Sequence, residues 1–191
     1  GYSWGTIENC SVSGSVSGTN CVGGVVGSQK VGSIIGCSSS AIVKGTRYVG
    51  GVAGEKWGTM TACYATGNVT LEFGSHNNLS GGGVVGLSGG NRVLACYAIG
   101  NVTSTGSSTG NVHIGGLLGD SYTEVTACYW KNNQEQGIGR NQHSTAPEAT
   151  KVDGATVKWQ AAVDGMNTAL QNASSEWRYE LKGALPTLRK Q

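Results

Sequence analysis

The sequence is short of charge, of proline and of phenylalanine. Asp, Glu, Lys and Arg together make up 13% of its 191 residues, Pro occurs twice and Phe once. The net charge of +2 supplies no basic stripe for a nucleic-acid backbone and no Lys/Arg run for an anionic membrane surface. No apolar run reaches the roughly 18 residues that a bilayer-spanning helix needs, so membrane insertion is not expected. The first residues, Gly1-Tyr2-Ser3-Trp4-Gly5, carry neither the basic nor the apolar region of a secretory signal. Cys-x-x-Cys spacings are missing, which removes the usual zinc frameworks. The Gly-rich stretches match neither a dinucleotide fingerprint nor a P-loop. No metal and no cofactor are expected.

What the chain has in excess is glycine, 33 residues without the G-X-Y period of collagen. Much of it falls in a repeat. Gly23-Gly24-Val25-Val26-Gly27 returns as Gly50-Gly51-Val52-Ala53-Gly54, Gly82-Gly83-Val84-Val85-Gly86 and Gly115-Gly116-Leu117-Leu118-Gly119. Five cysteines, Cys10, Cys37, Cys63, Cys96 and Cys128, recur at spacings of 27, 26, 33 and 32. An apolar residue stands three positions before each: Ile7, Ile34, Met60, Val93 and Val125. The position just before is small in four cases, Gly36, Ala62, Ala95 and Ala127, with Asn9 as the exception. Markers in phase over a period of this length signify a stacked repeat architecture.

After each cysteine the chain alternates with the period of a strand. Cys63, Ala65, Gly67 and Val69 share one parity, and Tyr64, Thr66 and Asn68 share the other. A buried face this poor in bulk suits a narrow solenoid whose walls approach closely. The expected fold is therefore all-β: a parallel β-helix, or β-solenoid, of about five coils, right-handed by the general preference of parallel crossovers, with a small C-terminal α/β cap. The Gly-Gly pairs are expected at coil corners, where the backbone bends sharply or takes positive φ. The third and fourth repeats are longer, and the extra residues 71–78 and 103–109 read as edge loops.

Gly-Gly-apolar-apolar-Gly followed by Cys-Tyr-Ala-x-Gly-Asn-Val resembles the GLUG repeat of bacterial surface proteins, found in adhesin-like proteins and beside some immunoglobulin-A peptidases. Cys63-Tyr64-Ala65-Thr66-Gly67-Asn68-Val69 and Cys96-Tyr97-Ala98-Ile99-Gly100-Asn101-Val102 carry the resemblance, which spans residues 1 to about 130. The second repeat departs from it, with Ser38 and Ser39 where Tyr and Ala are expected. The resemblance implies an extracytoplasmic setting, at the bacterial cell surface or secreted, and supplies no catalytic residue. Asn68 and Asn101 lie in Asn-Val-Thr sequons, read in this setting as repeat positions rather than glycan sites.

Gly1 aligns with the last Gly of a Gly-Gly-Val-Val-Gly marker, so the chain is expected to be a piece of a longer protein whose upstream coils or domain would cover the first strand edges. The repeat occupies 1–130, and 131–150 reads as a connecting loop. Residues 151–191 read as a cap over the last coil. Within it Trp159, Ala162, Val163, Met166 and Leu170 fall at helical spacing over about 156–172, and Trp177, Tyr179 and Leu181 alternate as a strand. Gly165 inside the helix costs roughly 1 kcal/mol against Ala, so the helix is expected to depend on docking.

Candidate chemistry is sparse. The five phased cysteines read as a buried ladder of small hydrophobes, because parallel-stacked side chains point alongside one another rather than at one another. Cys21 lies outside the ladder. The acidic residues Glu8, Glu55, Glu72, Asp120 and Glu124 occupy no equivalent positions in neighbouring repeats, and His76, His113 and His143 are out of register. Arg92 and Glu124, each four residues before a cysteine, are expected to form a cross-rung ion pair. No catalytic residue is assigned, and an enzyme is expected only if residues outside this sequence supply a site. The ligand-binding candidates are Tyr64, Tyr97 and Tyr129, expected to form one exposed outward column, with Thr66 and Ile99 beside them. A flat aromatic stripe can pack against sugar rings or an apolar protein surface. The sequence therefore points to a non-enzymatic, adhesin-like module binding a glycan or a host or matrix protein. A passive stalk or spacer and a carbohydrate-active β-helix, binding or cleaving polysaccharide, are the alternatives.

Overall fold

A computed structural model describes residues 1–74 and 77–191. His76, and with it part of the edge loop read at 71–78, lies outside the described residues. The chain winds as a parallel β-solenoid, as expected. Each full coil carries five short strands, exemplified by Asn78–Gly82, Val85–Ser88, Val93–Leu94, Tyr97–Ala98 and Val102–Thr105. Strands at the same place in successive coils pair in parallel and in register. They make five sheets of four, six, five, six and four strands, numbered here first to fifth in that order. The repeat markers coincide with this register: Tyr64 pairs with Tyr97, Met60 with Val93, and Val49-Gly50 with Gly81-Gly82.

The corners differ from the expectation in an instructive way. No residue of the four repeat pairs, Gly23-Gly24, Gly50-Gly51, Gly82-Gly83 and Gly115-Gly116, has positive φ. The left-handed position is the one just before each cysteine: Asn9, Gly36, Ala62, Ala95 and Ala127, with φ of 54°, 60°, 53°, 51° and 49°. Asn9 is thus no exception, because Asn and Gly are the residues that tolerate this conformation best, and Ala is among the smallest that must bear it.

The Gly-Gly pairs serve space instead. A Cβ on Gly51 would stand 2.2 Å from Gly83 O and 2.5 Å from the Ala65 Cβ, and one on Gly83 would stand 2.6 Å from the Ala98 Cβ. The second glycine of the pair therefore packs across the lumen onto the small residue of Cys-Tyr-Ala and pinches the interior into two chambers. A Cβ on the first would meet only backbone, as one on Gly50 would at 2.2 Å from Ala53 O. One chamber holds the cysteine ladder with Ile34, Met60, Val93 and Val125. The other holds Val22, Val43, Val49, Val69, Leu71, Leu79 and Val102.

Side chains finish the last coil. In the last coil Trp130 takes the alanine slot, lies against Gly116 and Gly137, and donates from Nε1 to Gln134 O at 3.0 Å. Below it Asn133 imitates a strand. Its Oδ1 accepts from Val102 N at 2.9 Å and its Nδ2 donates to Val102 O at 2.9 Å, which closes the edge of the fifth sheet. In the first coil Cys10, Val12 and Val16 are half-buried.

Two parts of the C-terminal third depart from the sequence reading. Residues 131–150 are more than a connection, because Ile138–Asn141 and Ala149–Lys151 add a sixth strand to the second and fourth sheets. The cap does not sit over the last coil. Helix α1 (Trp159–Asn172) and an antiparallel hairpin, Trp177–Lys182 with Leu185–Lys190, lie along the flank of the solenoid. Lys190 reaches Glu8 in the first coil at 2.9 Å, and Gly165 of the helix meets Tyr129 in the fifth.

Candidate functional site

The fourth sheet carries the tyrosine column. Register aligns Ser11, Ser38, Tyr64, Tyr97 and Tyr129 on five successive rungs. Tyr64 and Tyr97 stack with centroids 4.8 Å apart and planes 2° from parallel, the spacing of the sheet itself. The column is not the open stripe expected of it. Tyr97 is fully buried, and Tyr64 and Tyr129 are half-buried.

The cause is chemical complementarity with the C-terminal segment. Tyr97 with Leu94, Ala62 and Ala95 presents an outward apolar patch, and the apolar stripe of α1 together with Trp177 and Tyr179 covers it. Trp159 and Tyr179 meet the Tyr97 ring edge-on, at 5.2 Å and 5.7 Å. The hydroxyls are satisfied as well. Tyr97 donates to Pro186 O at 2.6 Å, and Tyr179 donates to Ala95 O at 2.9 Å. Burial pushes the Tyr97 phenol well above its ordinary range, as expected of a structural ring.

Of the remaining candidates, Ile99 packs against the covered cluster, and Thr66 is half-buried at its margin beside Tyr64. The covering segment thus leaves the column open at its Tyr64 end. There a depression of about 220 Å³ lies between Tyr64, the serines that replace tyrosine in the first two coils, and the hairpin turn. Sequence reasoning passed over Ser11, Ser38, Leu185, Pro186 and Thr187 here. The signal was present in Ser38, where the second repeat departs from its pattern.

The cysteine ladder lines the inside of the coil. All six thiols are free, and Cys37, Cys63, Cys96 and Cys128 are buried, while Cys10, expected to be buried with them, is half-buried. Burial pushes the Cys63, Cys96 and Cys128 thiols up. Among the described residues no cluster of three or more His, Cys, Asp or Glu has metal-site geometry.

The carboxylates most suggestive of chemistry are clamped. They line the outward face of the second sheet, with Leu87 on the rung between them. Glu55 accepts from Ser28 Oγ and Lys30 Nζ at 2.6 Å each and from Trp57 Nε1 at 2.8 Å. Burial alone would raise its carboxyl, but the bonds from Lys30, Ser28 and Trp57 outweigh that and hold it below the ordinary value. Asp120 is gripped by Arg140, through Nε at 3.1 Å and through NH2, and by Gln142 Nε2 at 3.2 Å. The Glu55 carboxylate, held ionised by its donors, is poorly placed to give up or take up a proton. His113 faces this surface from the first sheet, lowered by burial and by Arg140. The expected Arg92–Glu124 pair does not form: both residues are exposed, and Glu124 accepts from Thr126 Oγ1 at 3.2 Å instead.

The fold and this surface together define the chain as a parallel β-solenoid with a C-terminal segment docked on its flank. Comparison with protein-family models, curated proteins and solved structures finds no match to the chain.

Proposed function

We propose that the chain is a non-enzymatic, adhesin-like module of an extracytoplasmic bacterial protein, binding a host or matrix ligand through the flank of its solenoid. The observation that carries this reading is the unfinished tyrosine column, whose half-buried Tyr64 ring stacks on Tyr97 and lines a hydroxyl-rimmed depression. Clamping of Glu55 and Asp120 by Lys30 and Arg140 supports binding over acid–base catalysis. The extracytoplasmic bacterial setting rests on the resemblance of the repeats to the GLUG motif. In-register stacking gives a stiff surface, and such a surface loses little conformational entropy on binding.

The test is an array of glycans and matrix proteins probed with wild type and with Tyr64→Ser at matched folding. Binding by the wild type and its loss in the variant are expected. A second reading, a passive stalk or spacer, is favoured by the full covering of Tyr97, and a wild type that retains nothing on the array would establish it in place of the first.

A further inference from the structure

We infer that the depression beside Tyr64 is a subsite for one neutral pyranose ring, an inference that rests on the binding reading above. Stacking in this column repeats at 4.8 Å, and one face of Tyr64 is occupied by Tyr97. The other face looks toward the second coil, where Ser38 stands at the tyrosine position, and beyond it toward Ser11 in the first. Rings are therefore missing from two consecutive rungs, a gap of roughly 10 Å along the column. A ring of the right thickness would seat on Tyr64 as Tyr97 does from the opposite side.

The walls specify what kind of ring. The hairpin closes one side with Leu185, Pro186 and Thr187, and is held there by the bond from the Tyr97 hydroxyl to Pro186 O at 2.6 Å. Hydroxyls of Ser11, Ser38, Ser40, Thr66 and Thr187 surround the space, and among the described residues no charged side chain lines it. Ser38 donates to Ser11 at 3.2 Å, and each hydroxyl retains further capacity to accept. One aromatic platform, a hydroxyl rim and no charge match a pyranose, whose C–H face is apolar and whose edge carries hydroxyls. A purely aromatic guest would strip water from the serines without replacing their bonds, and an acidic sugar would find no counter-charge. At about 220 Å³ the space lies below the range of roughly 300–1,000 Å³ typical of drug-sized ligands, so it fits one ring of a chain whose neighbours extend into solvent.

The protein's own repeat supplies the test. Ser38→Tyr places in the second coil the residue that Tyr64 and Tyr97 hold in the next two, and so fills the subsite from within. Methyl glycosides of glucose, galactose and mannose, with methyl glucuronide as the charged control, are titrated while the tyrosine ring signals are followed by NMR. Saturable binding of at least one neutral glycoside to the wild type is expected, with the Tyr64 ring signals shifting. Affinity should fall at least tenfold in both Ser38→Tyr and Tyr64→Ser, while Tyr129→Phe binds like wild type and Ser38→Tyr melts no lower than wild type. The subsite is refuted if no neutral glycoside saturates, if the glucuronide binds best, or if Ser38→Tyr binds undiminished. An array ligand that is lost in Tyr64→Ser but retained by Ser38→Tyr would refute the subsite and leave the adhesin-like reading intact. An empty array with no glycoside binding would remove both.

Discussion

Gly165 sits in the middle of α1, where helix propensity alone favours alanine by about 1 kcal/mol. Tertiary contact reverses that preference. A Cβ at this position would stand 2.3 Å from the Tyr129 hydroxyl but 3.4 Å from its Cζ, so only the phenol oxygen is in the way. Gly165→Ala should therefore destabilise the wild type and stabilise a Tyr129→Phe background by about 1 kcal/mol, a change of sign that thermal melts of the four proteins would reveal. Lys56 is a second residue whose environment decides its behaviour. It is fully buried in a register column with Gln29, Ser88 and Ser121, and its Nζ donates to Gly58 O at 2.8 Å, to Gly89 O at 3.3 Å and to Asn91 O. Burial lowers its ammonium from 10.5 to about 7. Between those values the unfolded chain binds a proton that the folded chain does not, so stability should rise with pH from about 7 to about 8.5 at about 1.4 kcal/mol per unit, until ionisation of the unfolded thiols, which burial keeps protonated at Cys63, Cys96 and Cys128 in the folded chain, turns the slope over. In Lys56→Gln, which borrows the residue of the preceding coil, denaturant melts should lose that slope.

At the scale of elements, the ladder strands show how one column can be buried and inert. Cys37, Cys63, Cys96 and Cys128 face the larger chamber, and Cys10 and Cys21 are half-buried. A thiol-specific reagent should modify no more than Cys10 and Cys21 in the native protein, and all six in denatured, unreduced protein. Four or fewer thiols in denaturant would mean that neighbouring rungs had oxidised. These strands were readable in advance because side-chain parity and small size are local properties. The reason for the Gly-Gly pairs was not, because the groups they make room for, Ser39, Ala65 and Ala98, lie across the lumen on another sheet. The left-handed corner was half legible: Gly36, Ala62, Ala95 and Ala127 marked the place, and the conformation explains why Asn9 belongs with them.

For the whole molecule, side chains set how the last coil opens. Trp130 and Asn133 finish it, and Asn133 pairs with both polar groups of the Val102 backbone. Native-state hydrogen exchange should be slow at Val102. Asn133→Ala leaves the Val102 N–H without its acceptor, although Gln134 Nε2 still serves the carbonyl at 2.7 Å. The loss should be about 1–2 kcal/mol, with exchange at Val102 accelerated and the first coil unchanged. Equal acceleration at both ends would show that Asn133 acts on global stability rather than as an edge closure.

The sequence by itself determined the coil: repeated parity, in-phase cysteines and glycine pairs specify stacked parallel strands, because each coil meets only its neighbours and the code for that contact is local and periodic. It also determined that α1 has an apolar face and that Trp177 and Tyr179 share one side of a strand. Only the tertiary structure decided where these elements dock. Tyr64, Tyr97 and Tyr129 carry the same repeat position and look equivalent in sequence. Yet Tyr97 is sealed beneath Trp159 and Tyr179 while Tyr64 is half-buried beside an open depression. The difference arises from contacts across more than 60 residues of chain, between the repeat and a segment that does not repeat, and no periodicity records such a contact.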